Sequence, residues 1–138
     1  SNHGLNIDNK GNVWIGGNGG QDGHVLKFTQ DGKFIKQFGF GWANAGSTDK
    51  FAFRQPAKIF VDETNKEAYV ADGYKNKRVA VLDGDSGKML RYWGAYGNKP
   101  DDADLGASRP GHCRVNFIGR VAGRRAHCRI LVHSSARR

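Results

Sequence analysis

The segment from Gly4 to Gly39, "GLNIDNKGNVWIGGNGGQDGHVLKFTQDGKFIKQFG", recurs with changes from Ala57 to Gly94, "AKIFVDETNKEAYVADGYKNKRVAVLDGDSGKMLRYWG". Asp8 matches Asp62, Trp14-Ile15 matches Tyr69-Val70, Val25 matches Val79, and Phe38-Gly39 matches Trp93-Gly94. Both copies must adopt the same supersecondary unit, so the repeat constrains the fold more tightly than composition does. The offset of about 54 residues exceeds one compact unit because "FGWANAGSTDKFAFRQP", Phe40 to Pro56, intervenes as a long connection.

Each copy reads as four short strands. The first is "LNID" or "KIFVD", the second "VWIG" or "AYVA", the third "HVLKF" or "RVAVL", and the fourth "FIKQFG" or "MLRYWG". Asp-Gly, Asn and Gly signals separate these β-branched and aromatic runs, which is the chemistry of antiparallel hairpins. No apolar stripe of helical period and useful length accompanies them. The fold class predicted is therefore all-β. A repeated antiparallel four-stranded unit of this size is a β-propeller blade. Closing a ring takes at least about four blades, so two would leave blade faces uncovered and a parent longer at both ends is expected.

Charge divides the chain in two. Residues 1–106 hold fourteen Lys/Arg against thirteen Asp/Glu, while residues 107–138 hold eight Arg, no Lys and no acidic residue. The net charge of +9 is thus a property of the tail. The domain expected is 1–106, with repeat units at about 4–39 and 57–94, followed by an Arg-rich segment at 107–138. Both cysteines, Cys113 and Cys128, lie in that segment, and two cysteines make one bridge at most. There is no apolar run near 18 residues, so no membrane span is expected, and no signal-peptide core is visible.

The second copy with its lead-in, "QPAKIFVDETNKEAYVADGYKNKRVAVLDGDSGKMLRYWG", resembles the NHL repeat, whose pattern is a Pro, a strand ending in Asp, "YVAD", "N.R" and a closing aromatic-Gly. Within NHL propellers the chain is most similar to the peptidyl-α-hydroxyglycine α-amidating lyases. They carry a "HGL.ID..GN.W" blade followed by a "QP...VD....YV.DGY.N.R" blade. Here these are His3-Gly4-Leu5 through Trp14, and Gln55-Pro56 through Arg78. The match covers residues 2 to about 97 and none of the tail. The resemblance implies a six-bladed parent and an extracellular or periplasmic setting.

It also implies a site. Tyr74 matches the active-site tyrosine of the lyases' "DGY" loop, close to a zinc. A nearby cation favours phenolate and makes it a usable proton acceptor. Such a base would take the hydroxyl proton of a carbinolamide while the C–N bond breaks, releasing an amide and glyoxylate. His3 matches one of three histidine zinc ligands, each from a different blade; three protein ligands and an open position suit a catalytic zinc. The Leu5 backbone carbonyl matches a ligand of the family's structural calcium, and oxygen suits a hard cation. His112, in "RPGHC", lies near where a second zinc ligand is expected, with His127 a weaker rival. Asp72, Asn76 and Arg78 belong to the general NHL pattern and read as structural: Asp and Asn accept turn conformations and bond nearby backbone. Arg54 and Lys75 stand where animal lyases carry a cysteine pair, so a relative without that bridge is implied.

Plainer readings stay open at this stage. Tyr74 alone is also what an exposed loop aromatic looks like, and "NHG" also suits a turn histidine. A non-catalytic NHL propeller that binds a protein, peptide or glycan on one face fits the same framework. A peptide or small amide is the substrate expected if the lyase reading holds; zinc and calcium enter through the resemblance only. "GGNGGQDG" has the wrong spacing for a dinucleotide fingerprint and precedes a strand. "DGDSGK" lacks the later ligands of a calcium loop and reads as a hairpin turn. "HCRV" and "HCRI" lack zinc-finger spacing. The tail carries enough arginine to neutralise several phosphates. Its composition also matches an out-of-frame reading of GC-rich coding sequence, or a disordered native tail. Nucleic acid is not the partner expected.

Overall fold

The computed structural model describes residues 2–42 and 46–102. Its eight strands are β1 (Asn2–Ile7), β2 (Val13–Gly17), β3 (His24–Phe28), β4 (Phe34–Gly39), β5 (Ile59–Asp62), β6 (Glu67–Asp72), β7 (Arg78–Asp83) and β8 (Met89–Trp93). They form two antiparallel four-stranded sheets, ordered β1-β2-β3-β4 and β5-β6-β7-β8. The all-β, propeller-like reading therefore holds, and every strand expected from the repeat is present. A single 3-10 turn, Ala95–Gly97, follows β8. Among the described residues no helix is long and apolar enough to cross a membrane.

The hairpin turns form where short polar side chains cap backbone N–H groups. Asp8 Oδ1 accepts from the Lys10 and Asn12 amides at 3.1 and 2.8 Å, and Gly11 supplies φ +79°. The matching Asp62 accepts from the Thr64 and Asn65 amides at 3.0 and 3.3 Å. "DGDSGK" is the β7–β8 turn, where Asp83 accepts from the Ser86 amide and hydroxyl, both at 2.6 Å.

Register decides which residues meet. In the first sheet Trp14 sits opposite Lys27, and Val25 opposite Phe38, so these share the face turned to the second sheet. In the second sheet Ile59, Val70 and Ala80 lie in one cross-strand row, and Val61, Ala68, Leu82 and Met89 in the next. The two faces close into one core holding Trp14, Val25, Phe38, Ile59, Val70 and Leu82. Trp14 and Phe38 stack with centroids 5.1 Å apart and planes within 5°. The sheets come close at Gly4, where an added Cβ would collide with the Ala57 carbonyl oxygen. Gly4→Ala is expected to push β1 off β5 and lower the urea midpoint, because the obstacle is backbone and cannot rotate away.

Asp8 links this core to a turn. Its Oδ2 accepts from the Trp14 indole N–H at 3.1 Å and from Asn12 Nδ2 at 3.0 Å, with the Lys27 ammonium at 3.5 Å. Burial opposes ionisation, but the Asn12 and Trp14 hydrogen bonds and the Lys27 charge outweigh it. The carboxyl is held below its ordinary value of 3.8. A depressed folded value means that this stabilisation is full above the unfolded value and is lost as pH falls through the folded one. Asp8→Asn is accordingly expected to be less stable than the parent at neutral pH. Denaturant titrations should show the gap narrowing as pH falls below about 4.

Candidate functional site

Two residues 71 positions apart meet across the boundary between the sheets. Tyr74 Oη lies 2.6 Å from His3 Nε2. The rings meet edge to face, with centroids 5.1 Å apart and an interplanar angle of 71°. Each side chain is placed by a local irregularity. The β1–β2 ladder pairs Asn2 with Gly17 and Gly4 with Gly16, so one extra residue enters β1 at His3. A bulge of this kind breaks the alternation and re-aims a side chain. His3 is thus inside β1, two residues ahead of the "LNID" run that the repeat predicts as the first strand. Tyr74 stands on the connection between β6 and β7, half exposed. Both groups are open to solvent and share one hydrogen bond, so a proton can pass between them and to a bound molecule.

The rest of the Tyr74 loop is held by a buried network. Arg78 Nε meets Asp72 Oδ2 at 2.9 Å with both side chains fully buried. Asp72 also accepts from Asn76 Nδ2 at 2.8 Å and from the Arg54 amide at 2.9 Å. The remaining arginine nitrogens donate to the carbonyls of Ser47 at 3.1 Å, Ala52 at 2.6 Å, and Asp49. Asp72, Asn76 and Arg78 therefore carry the loop and also tie down the long connection between the repeats. Asp102 adds a second tie: its carboxylate accepts from the Ser47 amide at 2.7 Å and from the Ser47 hydroxyl, which itself accepts from the Lys77 amide at 2.8 Å. The Ser47–Ala52 carbonyls and Asp102 had no place in the sequence reading. Their nearest sequence signal is the turn-forming "STD" at 47–49.

The metal ligands inferred from resemblance are not assembled by the described residues. Among them no group of three or more His, Cys, Asp or Glu side chains is placed to hold a metal. His3 Nε2 is engaged by Tyr74, and one imidazole beside one phenol falls short of the three-ligand set a catalytic zinc requires. Leu5 lies in the β1 ladder opposite Ile15, on a strand that among the described residues pairs on one side only. His112, His127 and the Arg-rich segment lie outside the described residues. Arg54 is half-buried, and Lys75 is exposed next to Tyr74.

With this geometry in view, the relatives are informative. No family model matches the chain. It is 30% identical over 115 residues to peptidyl-glycine alpha-amidating monooxygenase A of Xenopus laevis, covering 82% of this chain and 11% of that protein. Peptidylglycine alpha-amidating monooxygenase of Rattus norvegicus is 29% identical over 113 residues, covering 82% of this chain and 11% of its own. The Mus musculus enzyme of that name is 32% identical over 92 residues, covering 67% of this chain and 9% of its own. The chain is distantly related to the peptidylglycine amidating enzymes. It spans about a tenth of the length of the curated relatives it matches.

Proposed function

We propose that the chain is two blades of an NHL-type propeller that cleaves the C–N bond of a peptidyl α-hydroxyglycine, with Tyr74 and His3 as its proton-handling pair. The observation that carries this reading is the 2.6 Å contact between Tyr74 Oη and His3 Nε2 across the two sheets. Tyr74 Oη takes the substrate hydroxyl proton as its own proton passes to His3 Nε2, in the tautomer that leaves that nitrogen unprotonated. The C–O bond becomes a carbonyl, the C–N bond breaks, and the amide nitrogen receives a proton from the same pair. Amide and glyoxylate leave, with atoms and charge in balance.

The half-exposed tyrosine leaves room for a peptide end beside it, and an extracellular or periplasmic setting belongs to the same reading. Zinc and calcium would need donors beyond the described residues, so no step is routed through either. Two blades do not enclose a channel, and the two-blade chain alone is expected to be inactive. The test is glyoxylate release from an N-acyl-α-hydroxyglycine by the protein expressed from its full reading frame. Tyr74→Phe is expected to lower kcat by about 100-fold, the lower end of what a positioned acid–base group contributes. His3→Gln should lose a similar factor. Undetectable glyoxylate from the full-frame protein would overturn the catalytic reading and favour a propeller that only binds.

A further inference from the structure

We propose that Asn18 and Gly19 form a self-modifying site, at which the folded chain converts Asn18 to aspartate and isoaspartate through a cyclic imide. Asn18-Gly19 is the one Asn-Gly pair in the sequence, and it stands on the connection between β2 and β3. Glycine there removes the side chain that would crowd attack by its backbone nitrogen. The reacting atoms, Gly19 N and Asn18 Cγ, close a small ring within one dipeptide.

A peptide nitrogen is a poor nucleophile until it loses its proton, and two neighbours act on that step. Gly19 N–H donates to Asp22 Oδ2 at 2.7 Å, which puts a carboxylate where a general base must stand. Loss of the proton moves negative charge onto the carbonyl oxygen of the same peptide group, that of Asn18. Gln55 Nε2 donates to that oxygen at 3.1 Å, and to the Gly19 carbonyl at 3.1 Å. A donor aimed at the atom where charge develops is the arrangement of an oxyanion hole.

Main-chain bonds fix both helpers. The Asp22 amide donates to the Gly19 carbonyl at 2.9 Å, and the Gln55 amide to the Asp22 carbonyl at 2.7 Å. Gln55 is held at φ +62°, which residues other than glycine rarely adopt and which collects where a side chain must be aimed. The Asn18 carboxamide oxygen is buried and accepts no hydrogen bond from the described residues. Turning the carboxamide toward Gly19 N therefore breaks no bond at that oxygen. A Cβ on Gly20 would meet open space, so the loop has room to turn.

The step balances without an oxidant or any reactant besides water. Asp22 takes the Gly19 amide proton, Gly19 N bonds to Asn18 Cγ, and the Cγ–Nδ2 bond breaks. The proton held by Asp22 leaves with Nδ2 as ammonia. Water then opens the imide at either carbonyl, giving aspartate or isoaspartate at position 18. Either product sets a second carboxylate beside Asp22, and like charges in one turn repel. The change falls next to Gly17, whose pairing with Asn2 flanks the bulge at His3. The proposal stands apart from the catalytic one, because it uses neither His3 nor Tyr74.

Peptide mapping of the whole chain after warm incubation at neutral pH tests it. The expected result is conversion in the tryptic peptide from Gly11 to Lys27, at position 18, with isoaspartate among the products. Conversion should run at least about tenfold faster in the folded chain than in the chain unfolded in urea, since a positioned base contributes about 100-fold or more. Asp22→Asn and Gln55→Met, with circular dichroism unchanged, should each fall toward the unfolded rate. The folded-to-unfolded ratio of the parent decides the matter even where a variant fails to fold. Conversion no faster folded than unfolded would overturn the proposal. So would aspartate without isoaspartate, or a folded Asp22→Asn variant that keeps the parent's rate.

Discussion

Arg78→Ala is expected to leave the second sheet and the long connection largely unfolded under conditions where the parent chain is folded. The guanidinium is buried and joins Asp72 to the carbonyls of Ser47, Asp49 and Ala52. Truncation leaves a buried carboxylate without its counter-charge and three carbonyls without donors. Breaking a buried pair from one side costs about 3–5 kcal/mol, against about 5–15 kcal/mol for the whole stability of a domain. Arg78→Lys should recover little, since one ammonium on a flexible stem cannot point at four acceptors in the directions a planar guanidinium reaches. Urea denaturation followed by circular dichroism reads both variants. Hydrogen exchange should show protection lost first at Ala52 and Phe53, whose amides bond Asp49 Oδ1 and the Gly23 carbonyl at 2.8 and 3.1 Å.

Trp14→Ala should be comparably damaging by a different route. Trp14 is fully buried, stacks on Phe38 and donates its indole N–H to Asp8. Removing the ring opens a cavity between the sheets and costs about 3–5 kcal/mol. It also strips the indole donor from the buried Asp8 carboxylate. Trp14→Phe should retain most of the packing and lose chiefly the hydrogen bond, worth about 1.5–3 kcal/mol when one partner is charged. A ratio of midpoint shifts near unity for the two variants would show that packing matters less than the hydrogen bond. The account expects the alanine variant to shift further. Because Trp14 touches the second sheet and Arg78 anchors the connection, both variants should loosen the boundary where His3 meets Tyr74.

The eight strands were legible because alternation and turn residues are local signals. Asp8, Asp62 and Asp83 each cap the turn in which they stand, so their positions announce the hairpins. The bulge at His3 was not legible. A bulge belongs to a register between two strands, and "NHGLNI" carries nothing that reports its partner's count. The clamp on the long connection was hidden for another reason: its acceptors are main-chain carbonyls of Ser47, Asp49 and Ala52, which any residue provides. Arg78 was read as structural, but what it holds was not. Nor could local pattern bring His3 to Tyr74. Only the resemblance to a family placed them together, and the two-sheet packing then set the distance.

The most direct test of the central claim, that His3 and Tyr74 work as one proton-handling unit, is a double-mutant cycle on glyoxylate release. The protein from the full reading frame would be compared with Tyr74→Phe, His3→Gln and the double variant under single-turnover conditions. Residues that act as a unit lose their effect together, so the double variant should be no slower than the slower single variant within about threefold. Losses that multiply would mean that the two side chains act independently and would contradict the account.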